Sequence, residues 1–254
     1  MESLWVAKTG LEAQQMRMTV VSQNLANVNT TGYKRQRTMF EDLLYQNVVQ
    51  TGGLTSQQTS TPTGLNLGTG VHVVATDRQF QQGNIVTTGN PLDLAIHGEG
   101  WFVVDRPEGT AYTRNGHFTL NEKGQLTTTG GYPVLATDGT PITLGVEDQA
   151  VEISADGTVS TPGGRKARLD IVKFPQGTVP EKAGETLFTT TAAPEKAVQA
   201  KVIQGMIEGS NVRPVVEVTN MIWALRSYQA ATEVTVGEDG LLRKAIDVLT
   251  DTTV

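Results

Sequence analysis

MESLWVAKTGLEAQQMRMTVVSQNLANVNTTGYKRQRTMF, residues 1–40, decides how the rest of the chain has to be read. Leu4, Leu11, Met18 and Leu25 recur every seven residues, and Ala7, Gln14, Val21 and Val28 follow them by three. Seven of these eight positions are apolar, which makes an a/d seam of four heptads. The spacing predicts one helix over 3–29, with Ser3 as N-cap and Gly32 as its stop. Such a helix is about 40 Å long. A stripe two residues wide per heptad is too narrow to seat a helix in a broad core, so this one needs a partner helix. Gly10 inside it costs about 1 kcal/mol relative to alanine. It either admits a neighbouring backbone or is simply tolerated.

The partner is expected at the other end of the chain. Pro214 suits the first turn of a helix, with Glu217 just behind it. A second seam follows: Val218, Met221, Leu225, Tyr228, Leu242, Ile246 and Leu249. The same register puts Thr232, Thr235 and Asp239 on the seam, with Gly237 and Gly240 nearby, so a weakened or kinked stretch is expected over 232–240. Trp5, Met16, Val20, Ile222 and Trp223 lie off the strict seams, and these surplus apolar positions predict more than one neighbour.

Between the two ends the chain reads as β. Val71, Val73 and Ala75 alternate with polar residues, and Gly100-Trp101-Phe102-Val103-Val104 reads as a strand. Tyr112-Thr113-Arg114 and His117-Phe118-Thr119-Leu120 flank Asn115-Gly116 and are expected to form a hairpin. Turn signals recur at Lys123-Gly124, Gly130-Gly131, Asp138-Gly139, Asp156-Gly157 and Gly163-Gly164. The fold class is therefore α+β: N- and C-terminal helices forming an antiparallel coiled-coil domain, with an all-β domain inserted between them. The expected division is 1–34 with 214–254 for the helical domain, 35–70 with 201–213 for a connector, and 71–200 for the β domain. Residues 33–50 read as a short helix or an extended connector. The stretch over 51–70 is nearly free of charge and rich in Thr, Ser, Gln and Gly. It reads either as a linker or as a long loop ordered by a partner.

Composition narrows the function. The 254-residue chain carries a net charge of −6, which argues against nucleic acid as a partner. Charge is split between the ends. Residues 1–40 carry Lys8, Arg17, Lys34, Arg35 and Arg37 against Glu2 and Glu12, while 217–254 is acidic, which favours association of the two ends. The absence of cysteine excludes disulfides and thiolate metal sites. No apolar run reaches the roughly 18 residues needed to span a bilayer, and Lys8, Glu12 and Arg17 interrupt any signal-peptide core.

Few residues of the chain suggest chemistry. His72, His97 and His117 lack a second histidine or a carboxylate at metal-ligand helical spacing. Asp138-Gly139, Asp156-Gly157 and Asp239-Gly240 lack the continuation of a calcium loop and read as turns. Gly98-x-Gly100 has no third glycine, and no serine sits in a G-x-S-x-G elbow. The basic run Arg165-Lys166-Ala167-Arg168 reads as a solvated turn or a contact for an acidic surface. No catalytic, cofactor or metal residues are assigned, and an enzyme is not expected.

Several stretches resemble one family. Asn24, Leu25, Ala26, Asn27, Thr30, Gly32, Tyr33 and Lys34 lie in a segment similar to the N-terminal signature of bacterial flagellar rod and hook proteins. Gln204-Gly205-Met206-Ile207-Glu208-Gly209-Ser210-Asn211-Val212 resembles the C-terminal motif of the same family. Asp93–Phe102 and Tyr112–Gly116 resemble its β domain, and Phe40–Gln46 resembles its distal-rod members in particular. The resemblance implies a structural subunit of the distal rod, a self-polymerising helical tube that crosses the periplasm. It implies the proximal rod and hook proteins, the P and L rings and the flagellar type III export apparatus as partners, with export that needs no cleaved signal and no embedding in a membrane. It also implies that the segment with Gly52, Gly53, Leu54, Pro62, Gly64 and Leu65 stiffens the tube. The alternatives are a proximal-rod subunit and, from a different class, a monomeric β-rich glycan-binding module.

Overall fold

A computed structural model describes residues 2–43, 46–49, 54–56, 59–60, 65–145, 151–175, 177–184 and 186–251. The chain divides into two compact units. The first contains the residues up to Leu25, Gln36–Gln79 and the residues from Pro214 on; the second contains Ala26–Arg35 and Phe80–Arg213.

The first unit holds both long helices, α1 (Glu2–Ala26) and α2 (Pro214–Asp251). α1 ends three residues before the expected position 29. Beyond Ala26 the backbone turns, with the Thr30 amide bonded to the Asn27 carbonyl (3.2 Å) and the Tyr33 amide to the Thr30 carbonyl (3.2 Å). α2 is helical throughout 232–240, so the stretch expected to be weak does not break the helix. The hydroxyls of Thr232 and Thr235 bond back to the carbonyls of Tyr228 and Ala231 (both 2.9 Å), a pairing that keeps the threonines in the helix at a slight cost to its stability.

The rest of the first unit is a β arm. Gln36–Asp42 pairs antiparallel with Val71–Arg78, with a bulge between Met39 and Phe40. Gln46–Val49 then pairs with Leu65–Leu67, and Leu54–Ser56 with Thr59–Ser60. Residues 36–42 and 46–49 are extended because each pairs with a strand further along the chain, a tertiary pairing that overrides local pattern. Gly52, Gly53, Pro62 and Gly64 fall outside the described residues.

The second unit is built on a six-stranded antiparallel sheet. Its order is Glu181–Lys182, Leu187–Thr189, Gly109–Thr113, Trp101–Arg106, Ile171–Lys173 and Glu195–Lys196. Both faces of its centre are buried, as the period of two requires. Phe102, Val104 and Ala111 face a cluster that includes Leu94, Ile96, Phe118, Leu126, Val134 and Ile142. Trp101, Val103 and Tyr112 face the other way, onto Val172, Phe188, Phe80 and Phe174. In that second cluster Trp101 meets Phe80, Phe174 and Phe188 with ring centroids 5.0–5.6 Å apart.

The expected hairpin across Asn115-Gly116 does not form. Gly109–Thr113 pairs with Trp101–Arg106, whereas Phe118–Leu120 pairs with Leu126–Thr128 in a separate sheet. Gly116 serves packing instead: a Cβ there would sit 1.6 Å from the Leu94 carbonyl oxygen. The Leu94 amide bonds the Gly116 carbonyl (2.9 Å), so the two backbones run in direct contact. The glycine in this Asn-Gly pair marks a close approach, not a tight turn.

Candidate functional site

The chain crosses between the units after Leu25, Arg35, Gln79 and Arg213. Each unit gathers the stretches beside its own crossings around a fully buried glutamate: Glu208 in the second unit and Glu217 in the first, each 0% exposed. Carboxylates are rarely buried without partners, and each of these has them.

Glu208 lies at the end of the Met206–Glu208 strand, which pairs with Ile85–Thr87. Its Oε1 accepts from Lys34 Nζ (2.6 Å) and from the Gly83 amide (2.9 Å). Its Oε2 accepts from Arg114 Nη1 (3.1 Å). Lys34 Nζ also donates to the Gln81 carbonyl (2.9 Å), and Arg114 Nη2 to the Gly98 carbonyl (2.7 Å). The Arg114 guanidinium lies 5.6 Å from the centre of the Trp101 ring. The connector is also tied through its backbone: Gly32 donates to the Glu208 carbonyl (2.8 Å) and Arg35 to Asn211 Oδ1 (2.7 Å). Gly32 has φ +70°, and a Cβ there would lie 2.5 Å from the Asn115 nitrogen, so only glycine fits. Burial is the main influence on both cations. It holds the Lys34 ammonium and the Arg114 guanidinium below their ordinary values, while the Glu208 charge offsets part of that cost.

Glu217 lies in the first turn of α2, where the helix dipole favours a carboxylate. Asn24 Nδ2 reaches its Oε2 at 3.3 Å. The Asn24 amide also pairs with the backbone of Gln36 as a strand neighbour would: Nδ2 donates to the Gln36 carbonyl (2.8 Å), and Oδ1 accepts from the Gln36 amide (2.9 Å). With the Gln36 side-chain amide oriented to suit its neighbours, its oxygen accepts from Arg78 Nε (3.3 Å) and Nη2 (3.2 Å). Asn24, Gln36, Arg78 and Glu217 thus draw α1, the first strand pair of the arm and α2 to one point.

Sequence reading placed Asn24 and Lys34 in a signature but gave neither a partner, and it missed Arg114, Glu208, Gln36 and Glu217 as site residues. Lys34 and Glu208 are 174 residues apart, so no local spacing links them. The available signal was a carboxylate at a strand end between Ile207 and Gly209, in a motif otherwise poor in charge.

The remaining residues singled out by sequence divide clearly. In α1, Val21 is buried, Leu4, Leu11, Met18 and Leu25 are half-buried, and Trp5 is 55% exposed. Val28 follows the helix end, half-buried in the turn, with Asn27 and Thr30; Ala26 is exposed, and Gly32 and Tyr33 are buried. In α2, Met221 and Tyr228 are half-buried, while Val218, Ile222, Leu225 and Ile246 are exposed. Leu242 and Leu249 lie within α2, and their side chains are outside the described set. The line that α2 buries runs through Glu217, Met221, Ala224, Tyr228 and Ala231. A separate apolar line, Val215, Val218, Ile222 and Leu225, is exposed.

Elsewhere, His117 Nδ1 meets Asp93 Oδ1 at 2.7 Å, so His117 anchors a loop rather than standing free. Asp138 and Asp156 accept from the amides and hydroxyls of Thr140 and Thr158, two residues on. These bonds lower both carboxyl pKa values and identify the Asp-Gly pairs as turn chemistry. Among the described residues no cluster of three or more metal-ligating side chains occurs, and no helix is long and apolar enough to cross a membrane.

Three family descriptions match the chain. Residues 4–34 match "Flagella basal body rod protein", 95–161 match "Flagellar hook protein FlgE/F/G D1 domain", and 203–248 match "Flagellar basal body rod FlgEFG protein C-terminal". The flagellar basal-body rod protein FlgG of Buchnera aphidicola subsp. Acyrthosiphon pisum (strain APS) is 38% identical, over 95% of this chain and 97% of its own. FlgG of Agrobacterium fabrum is 37% identical over 92% and 94%. The flagellar basal-body rod protein FlgF of Caulobacter vibrioides is 34% identical over 97% of both chains. Lys34 falls in the first matched segment, Arg114 in the second, and Glu208 and Glu217 in the third.

Proposed function

The chain belongs to the flagellar basal-body rod protein family, and from that premise we propose that it is a subunit of the distal rod. Rod subunits are structural components of the flagellum, not enzymes. On this reading, copies of the chain polymerise into a stiff helical tube. The terminal helices pair as an antiparallel coiled coil on its inside, and the second unit faces outward. The tube crosses the periplasm, joins the proximal rod to the hook, turns within the P and L rings, and is supplied by the flagellar type III export apparatus.

The observation that carries the assembly reading is the exposed apolar line of α2. Val215 (79%), Val218 (44%), Ile222 (48%) and Leu225 (46%) occupy one helical face that the described chain leaves open. At about 1.5–3 kcal/mol for each side chain buried, covering this face supplies a strong drive to associate. The acidic α2 and the basic 1–40 segment give the contact a charge preference. Distal placement is supported by six FlgG-named relatives at 34–39% identity, five of them above the 34% of the FlgF of Caulobacter vibrioides. A glycan-binding module is disfavoured, because Trp101, Phe102, Tyr112 and Phe118 are all buried and form no platform.

Deletion of residues 51–66 tests the distal assignment. Basal bodies carrying the deletion, viewed by electron microscopy, are expected to show a bent or shortened distal rod on an intact proximal one. Loss of the proximal rod instead would move the chain to the proximal position.

A further inference from the structure

The Glu208 knot holds more positive charge than its carboxylate balances. Lys34 and Arg114 both bond Glu208, and the three side chains are 1%, 6% and 0% exposed. The two cations are held in different ways. Arg114 is fixed by the body of the second unit: its guanidinium bonds the Gly98 carbonyl (2.7 Å) and the Ile96 carbonyl (3.4 Å) and lies over Trp101. Lys34 stands near the end of the segment Ala26–Arg35, which enters this unit from α1 and leaves again for the β arm.

We propose that Lys34 is a releasable latch, which fastens the Ala26–Arg35 segment to a unit whose six-stranded sheet is complete without it, with Arg114 keeping Glu208 paired while the latch is open. The division of the carboxylate supports this. Oε2 belongs to Arg114, and Oε1 keeps the Gly83 amide at 2.9 Å after Lys34 has gone. Without Lys34 the knot is a neutral pair with both oxygens occupied. With Lys34 seated it carries one buried cation in excess, which the exposed Glu99 carboxylate, acting on Arg114, offsets only in part, and under-compensated buried charge is costly. Burial accordingly depresses the pKa of the ammonium. The favourable contacts that close the latch, from the Gly32 amide to Glu208 and the Arg35 amide to Asn211, lie outside both hydrophobic clusters. Opening uncovers Tyr33, which is buried when the latch is closed, and leaves the six-stranded sheet untouched. The inference rests on the geometry of the second unit alone and not on the rod assignment.

Residue-resolved hydrogen exchange and thermal melting of the full-length chain test it, using wild type, Lys34→Met and Arg114→Met. In wild type, the Gly32 and Arg35 amides are expected to exchange faster than those of Gly83 and Leu135. The Leu135 amide bonds Val103 in the sheet core and reports global opening. Lys34→Met is expected to cost a further ten- to hundredfold or so in protection at Gly32 and Arg35, the scale of one charge-assisted hydrogen bond. It should leave Gly83 and Leu135 protected and shift the melting of the second unit by less than about 3 °C. Arg114→Met is expected to lower that melting by about 10 °C or to prevent folding. The latch is refuted if wild-type Gly32 and Arg35 exchange as slowly as Leu135, if Lys34→Met leaves their protection unchanged, or if it lowers melting as far as Arg114→Met does.

Discussion

Glu208→Gln is the perturbation whose size the structure defines best. The side chain keeps its shape and loses its charge. Glu208 now accepts three hydrogen bonds: two at Oε1, from Lys34 (2.6 Å) and Gly83 (2.9 Å), and one at Oε2, from Arg114 (3.1 Å). Glutamine has one acceptor oxygen, so its NH2 must face either the ammonium or the guanidinium, donor against donor. Two buried cations are then left without a buried counter-charge. Removing one partner of a buried ion pair costs about 3–5 kcal/mol. At about 2–4 °C per kcal/mol for a chain of this size, the melting of the second unit should fall by roughly 6–20 °C. Calorimetry of the full-length protein, with near-ultraviolet circular dichroism of the Trp101 cluster to identify that unit's transition, makes the measurement. A Glu208→Gln protein that melts within about 2 °C of wild type would show that the knot is solvated in practice, and the reasoning from burial would fail.

Other consequences can be checked independently. Asn24→Ala removes the strand-like pairing with Gln36 and the contact with Glu217; it should cost the first unit about 2–4 kcal/mol, seen as lost protection at the Gln36 amide and reduced helicity. Gly116→Ala puts a Cβ 1.6 Å from the Leu94 oxygen and should destabilise the second unit by about 4 kcal/mol or more in urea unfolding, whereas an ordinary hairpin glycine would cost far less. Asp170 has its pKa raised, mainly by burial, with Lys196 opposing the shift. The folded form therefore binds that proton more readily than the unfolded one, and stability from this site is lost as pH rises through the raised value. Asp170→Asn should melt above wild type at neutral pH, and the gain should vanish below the ordinary carboxyl value of 3.8.

What the sequence revealed, and what it hid, follow the range of the interactions. Local periodicity located both terminal helices, because α1 and α2 each repeat a pattern over many turns. Turn chemistry was equally legible: Asp138 and Asp156 cap their own turns from two residues away. The Asn115-Gly116 reading failed because the reason for that glycine lies at Leu94, outside any local window. The arm strand Gln36–Asp42 was ambiguous because its partner begins at Val71, beyond a stretch of weak pattern. On α2, counting apolar residues could not separate the line the chain buries, which runs through small and polar residues such as Ala224 and Glu217, from the line it exposes. The two glutamate knots were least visible, because their members come from three or four distant stretches and only folding brings them together.

Electron microscopy of the purified full-length protein, alone and added to basal bodies that end at the proximal rod, shows whether this chain is a polymerising rod subunit. A helical tube is expected, growing either freely or from the basal-body end. Substituting serine for Val218, Ile222 and Leu225 should abolish the tube while leaving the melting of the second unit unchanged. A wild-type protein that stays monomeric under both conditions, or a triple variant that assembles as wild type does, would contradict that assignment.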